Sequence, residues 1–203
     1  MARSPITDLP ADYVEVQHLV LTEPRLLFRL NLLGLIPLIL AVVAMGVYGA
    51  WIAPLRPSIP PERVPLPDVL MIVLVIVITL PLHELIHGLA ITYVGHKPTY
   101  GMKLDKGVLY ATADQALFRR DEYLMVALAP LVVITLAALL LLWIVPNGLV
   151  YWLSLAVVLN AGGAIGDLWA VGVVLRHPRS VLVRDEADGF RVFGCAAENK
   201  QGA

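Results

Sequence analysis

The chain has 203 residues, 59% of them hydrophobic and 15% charged, with a mean hydropathy of +0.78. A water-soluble domain carries about a quarter charged residues, so this balance excludes an ordinary soluble globule and points to an integral membrane protein. The net charge of −1 offers nothing to nucleic acid, and the single cysteine, Cys195, excludes an internal disulfide and reads as a thiol in a reducing compartment.

Met1 to Glu23 is polar and is expected in the cytosol. About 24 mostly polar residues precede the first apolar run, which is unlike a cleaved secretory signal. Within this tail Tyr13 to Val20 alternates as a half-buried strand does, with His18 as a strand surface residue. A first transmembrane span is expected over about Leu30–Trp51, with Arg25 and Arg29 snorkelling at its start, Pro37 bending it, and Tyr48 and Trp51 at the far interface. Six prolines between Ala53 and Pro67 predict an extended surface linker.

The second span is expected over about Asp68–Val94, with Pro81 inside it. Thr99 to Leu104 and Val108 to Thr112, around Asp105-Lys106-Gly107, read as a hairpin, with His96 in solvent just before it. A third span over about Tyr123–Val145 contains Pro130. After the Pro146-Asn147-Gly148 turn, a fourth covers about Leu149–Leu175, where Gly162 and Gly166 form a small-xxx-small pattern for close helix approach. Val181 to Val183 and Phe190 to Phe193 predict a second hairpin that pairs with the N-terminal strand. The expected class is therefore an all-α membrane fold, four transmembrane helices with small cytosolic β-hairpins, forming a single membrane-embedded domain over 1–203. The sequence shows no internal repeat.

The second span ends in Pro81-Leu82-His83-Glu84-Leu85-Ile86-His87-Gly88, a His-Glu-x-x-His motif. On a helix His83 and His87 lie one turn apart on one side. That pair can hold a zinc ion while Glu84 acts as general base on water. Each ionisable residue at mid-membrane costs about 2.5–3.5 kcal/mol on insertion scales, so three within five positions call for a function.

Lys and Arg sort sharply between the two sides of a four-span layout. The N-terminal tail, the 95–121 loop and the C-terminal tail hold 13 of them, Arg3, Lys106 and Lys200 included, whereas the other side holds only Arg56 and Arg63. The positive-inside rule then places both termini in the cytosol of a multi-pass cell-membrane protein. The second and fourth spans run in parallel. Helical rise puts His87 about 10 Å, Asp167 about 13 Å and His83 about 16 Å from their cytosolic ends. Asp167 is the only carboxylate within the fourth span, and Asn160 lies two turns before it on the same face. The expected site is thus His83, His87 and Asp167 on Zn2+ with water in the open position. Glu84 is its general base, and Asn160 is a donor to the substrate carbonyl or oxyanion.

At these residues the sequence resembles the membrane-embedded zinc metalloproteases of the site-2 protease class, which carry His-Glu-x-x-His on one transmembrane helix and an aspartate ligand on a later one. More closely, it resembles a small bacterial and archaeal membrane family of zincin peptidases, over most of the chain and most sharply at His83 to Gly88 and Asn160 to Asp167. It departs from the site-2 pattern in three ways. Asn160 and Asp167 are separated by seven residues rather than eight, no proline lies between them, and Leu168 follows Asp167. The resemblance implies that a strand beside the site holds unwound substrate, and the 99–112 hairpin fits that role. The expected function is zinc-dependent hydrolysis of peptide bonds in or near the membrane, in a membrane-protein or peptide substrate held with the lipid bilayer, without nucleic acid. Two alternatives stand: a non-catalytic binding or chaperone-like protein with a structural metal site, and a metal-ion transporter. The near absence of polar residues in the first and third spans disfavours the transporter.

Overall fold

The structure is a computed structural model describing residues 5–6, 8–21, 23–103, 108–113, 116–186 and 189–196. Arg3, Lys106, Lys200 and the Asp105-Lys106-Gly107 turn lie outside the described residues. In chain order come β1 (Tyr13–Val20), α1 (Pro24–Leu33), α2 (Leu35–Val47), α3 (Asp68–Tyr93), β2 (Thr99–Lys103), β3 (Val108–Thr112), β4 (Leu117–Arg119), α4 (Arg120–Leu141), α5 (Asn147–Gly163), α6 (Ile165–Val174), β5 (Leu182–Glu186) and β6 (Gly189–Cys195).

The all-α four-helix expectation is incorrect. The chain is about 59% helix and 18% strand, and among the described residues the strands form two antiparallel sheets. One sheet has the order β1-β6-β5-β4, and the other is the β2-β3 hairpin. Composition misled because the apolar runs dominate it. The four-stranded sheet is assembled from short segments far apart in the chain, and β4 has only 3 residues, too few for alternation to register. The expected partnership of the N-terminal strand with the C-terminal hairpin is present, Tyr13 opposite Cys195 through Val20 opposite Gly189. His18 lies on that strand, 3.6 Å from Glu186.

Among the described residues, three helical stretches are long and apolar enough to cross a membrane, namely Pro24–Leu55, α3 and α4; α5 and α6 make a fourth if that bent pair is one span. The first stretch is interrupted at Gly34. Pro37, in the first turn of α2, has no N–H for the Leu33 carbonyl, which weakens the helix there. The fourth is interrupted at Ala164. Helix α3 is apolar all round except for its functional side. Ile78, Leu82, Leu85 and Leu89 are exposed along one stripe, whereas Ile86, His87 and Gly88 are buried. An apolar exposed stripe with polar groups turned inward is the arrangement that lipid favours.

The chain divides into two compact units. One comprises Met1–Arg29, Glu84–Ala129 and Gly166–Ala203. Its core joins the four-stranded sheet to the ends of three helices through Ile91, Val94, Phe118, Tyr123, Val174, Phe190 and Val192. Tyr123 lies between Phe118 and Phe190, with ring centroids 6.2 and 5.7 Å away. His96 differs from expectation. Its ring packs edge-on to Phe118 at 4.7 Å, and burial, with Arg119 adding to it against Glu122, pushes the imidazole below its usual value.

The other unit comprises Leu30–His83 and Pro130–Ile165. Here α2 packs on α5 where Gly162 admits Leu38, whose Cδ1 is 3.0 Å from the position of a Cβ. Gly166 has nothing within 4 Å, so only half of the small-residue pattern serves packing. The proline-rich linker is held against the turn before α5. The Asn147 N–H donates to the Ile59 carbonyl at 2.8 Å, and its side-chain amide bridges Arg56 and Glu62.

Phe190 is fully buried at the centre of the sheet-bearing unit. Replacing it with Ala should cost about 3–5 kcal/mol of stability in detergent, read by chemical unfolding. A loss below about 1 kcal/mol would mean that this face of the sheet is not a packed core.

Candidate metal centre

The motif residues lie in the last three turns of α3, an unbroken helix through Pro81. His87 is buried, whereas His83 and Glu84 are half-buried. Because α3 is continuous here, His83 and His87 are fixed one turn apart on one side of it.

The orientation of His87 originates in α4. Pro130 has no N–H, so the Val126 carbonyl four residues earlier is denied its helical partner. The His87 Nδ1–H donates to that carbonyl at 3.0 Å. A carbonyl only accepts, so Nδ1 carries a proton, and Nε2 is the nitrogen left to meet a metal. Nε2 lies 3.4 Å from Oδ1 of Asp167, which occupies the first turn of α6.

His83 is oriented through an amide. Its Nδ1 lies 3.0 Å from Oδ1 of Asn160, and Nδ2 of Asn160 donates to the Pro130 carbonyl at 3.4 Å. Asn160 is only 2% exposed, so both ends of its amide are committed inside the protein. Both imidazoles therefore offer Nε2 outward while Nδ1–H is held by an oxygen, the pattern that surrounds metal-ligating histidines generally.

Ligand atoms of His83, His87 and Asp167 all lie within 4.8 Å of one another. The donor chemistry fits zinc. A nitrogen and a carboxylate oxygen facing each other at 3.4 Å need a positive charge between them, which a proton or a metal cation supplies. Two donors on a tetrahedral zinc at its usual bond lengths are about 3.4 Å apart.

The electrostatics of the site reach the sheet. Asp185 lies on β5 of the four-stranded sheet. Burial pushes the Asp185 carboxyl up to about 7, against the pull of Thr112 and His87, with the Asp167 and Glu84 carboxylates adding to the rise. Sequence reading missed Val126, Pro130 and Asp185. For the first two a signal existed, a proline four residues after a carbonyl in a helix that must satisfy every backbone group. Asp185 carried none, because it sat at a presumed surface turn.

Residues 76–182 match the family described as "Putative zincin peptidase". The chain belongs to this zincin peptidase family. The match covers α3 from Ile76 onward, including the His-Glu-x-x-His motif, and continues through Asp167 to the start of β5. No curated protein and no solved structure matches the chain.

Two outcomes follow from this geometry. Pro130→Ala restores an N–H to the Val126 carbonyl and should lower zinc affinity about 10-fold in a competitive chelator titration. Affinity within twofold of native would show that the carbonyl serves both partners. For Asp185, the folded value of about 7 lies above the ordinary 3.8, so the folded state keeps a proton that the unfolded state releases between them. Stability of the metal-free protein should therefore fall as pH rises from about 4 to about 7, and Asp185→Asn should flatten that slope in thermal midpoints taken across the window.

Proposed function

We propose that this protein hydrolyses peptide bonds of membrane proteins in or near the bilayer, with zinc held by His83, His87 and Asp167. The observation that carries this reading is the convergence of two Nε2 atoms and a carboxylate oxygen within 4.8 Å, beside the glutamate of the same motif. Three protein ligands leave a fourth position for chemistry, which separates a catalytic from a closed structural site. Zinc held by these three residues would supply Lewis acidity and a water that is nucleophilic near neutral pH.

The remaining work falls to side chains of the chain. Glu84 removes a proton from the attacking water and delivers it to the amine as the C–N bond breaks. Val126 and Asn160 hold the imidazoles in register. Asn160 was read from sequence as an oxyanion donor; with its amide spent on His83 and Pro130, the positioning role is the one its contacts support. A substrate strand adding to the edge of the β2-β3 hairpin would have its backbone extended for attack, a recurring mode of peptide recognition. The apolar helices support a location in the membrane, and the 13-to-2 sorting of Lys and Arg supports cytosolic termini. The arrangement is similar in outline to the site-2 protease class.

Glu84→Gln should retain zinc and lose cleavage by about 10²–10⁴-fold. The assay is a quenched fluorogenic transmembrane peptide in liposomes containing the zinc-loaded chain. Equal behaviour of native and variant chains would favour a structural metal site. Zinc flux into the liposomes without cleavage would favour a transporter.

A further inference from the structure

We infer that Tyr100 is a further catalytic residue, whose phenol hydroxyl donates a hydrogen bond to the carbonyl oxygen of the peptide bond under attack. This rests on the peptidase reading above and names the substrate contact that it lacks. Gly88 directly follows the second histidine of the motif and is buried. A Cβ there would collide with the Tyr100 hydroxyl and Cζ, and would lie 2.8 Å from Cε1. The hydroxyl thus occupies the space that any other residue at position 88 would fill.

That space belongs to the reactive side of α3. Residues four apart stack on one helix face about 6 Å apart, so Gly88 lies over Glu84. Cα–Cβ bonds tilt toward the helix N-terminus, so the missing Cβ of Gly88 points back toward the Glu84 turn. The phenol hydroxyl therefore lies on the face of α3 that carries Glu84, one turn from it, and belongs to the same compact unit.

Its placement is fixed from two directions. Gly101, the next residue of β2, pairs with Tyr110 across the hairpin, and the Tyr110 ring covers it closely enough that a Cβ would clash. One aromatic ring thus pins the strand on one face while Tyr100 reaches the helix from the other. Tyr100 is nonetheless 50% exposed, so its ring is not buried as core and can meet a ligand. A peptide added along the β2 edge would pass beside Tyr100. The hydroxyl is a neutral donor, suited to a carbonyl oxygen whose negative charge grows as water attacks.

The test uses the full-length zinc-loaded chain and the same transmembrane peptide. Tyr100→Phe should keep its zinc and its KM within about twofold and lose kcat about 10- to 100-fold. Affinity for a phosphinic peptide, which mimics the tetrahedral oxygen, should fall by a similar factor. Gly88→Ala, which pushes the hydroxyl away, should reproduce the loss. If that variant fails to fold, Tyr100→Phe decides alone. Native kcat and native phosphinate affinity in Tyr100→Phe overturn the assignment while leaving the peptidase reading intact. Absence of any Glu84-dependent cleavage by the native chain overturns both.

Discussion

A helix apolar enough to cross lipid leaves a backbone carbonyl unpaired only at a cost, and α4 does so at Val126 because Pro130 withholds the partner. The imidazole of His87 answers the vacancy, and in doing so fixes its own tautomer and aims Nε2 at Asp167. The carbonyl of Pro130 itself takes the amide of Asn160, which in turn holds His83. A single turn of α4, from Val126 to Pro130, thus orients both histidines of α3 without contributing a ligand. With His87 and Asn160 buried inside the protein, the cost of leaving these groups unpaired enforces the arrangement.

The site was legible in the sequence to the extent that its members broke an apolar pattern. His83, Glu84 and His87 stood out because charged and polar groups are costly in such a helix, and Asp167 because no other carboxylate lies in its segment. Helical rise alone then placed Asp167 at the depth of the histidine pair. The supporting groups left only an indirect trace, the position of Pro130. Val126 acts through its backbone, which every residue shares, and its importance comes from a neighbour's missing N–H.

The fold was legible unevenly. Long apolar runs announce helices regardless of what surrounds them, whereas a strand needs its partner before its pattern has meaning. The segments around Tyr13 and Phe190 read as strands, yet their union with the three residues of β4 into one sheet depends on contacts between residues more than 60 apart. Gly162 and Gly166 looked equivalent as a pair, but only Gly162 meets a neighbouring helix. His96, flanked by polar residues, looked solvated because nothing local reveals the ring of Phe118 lying over it.

The interruption at Ala164 has a consequence for charge. Had α5 continued, Asp167 would sit in mid-helix, where the peptide dipoles on either side cancel. Because a new helix begins at Ile165, the carboxylate lies within its opening turn, among N–H groups that have no carbonyl of their own helix to bond. Those groups carry a fractional positive charge. The break therefore sets the positive end of a helix beside the one carboxylate of an apolar segment, a favourable potential that an unbroken helix would not provide.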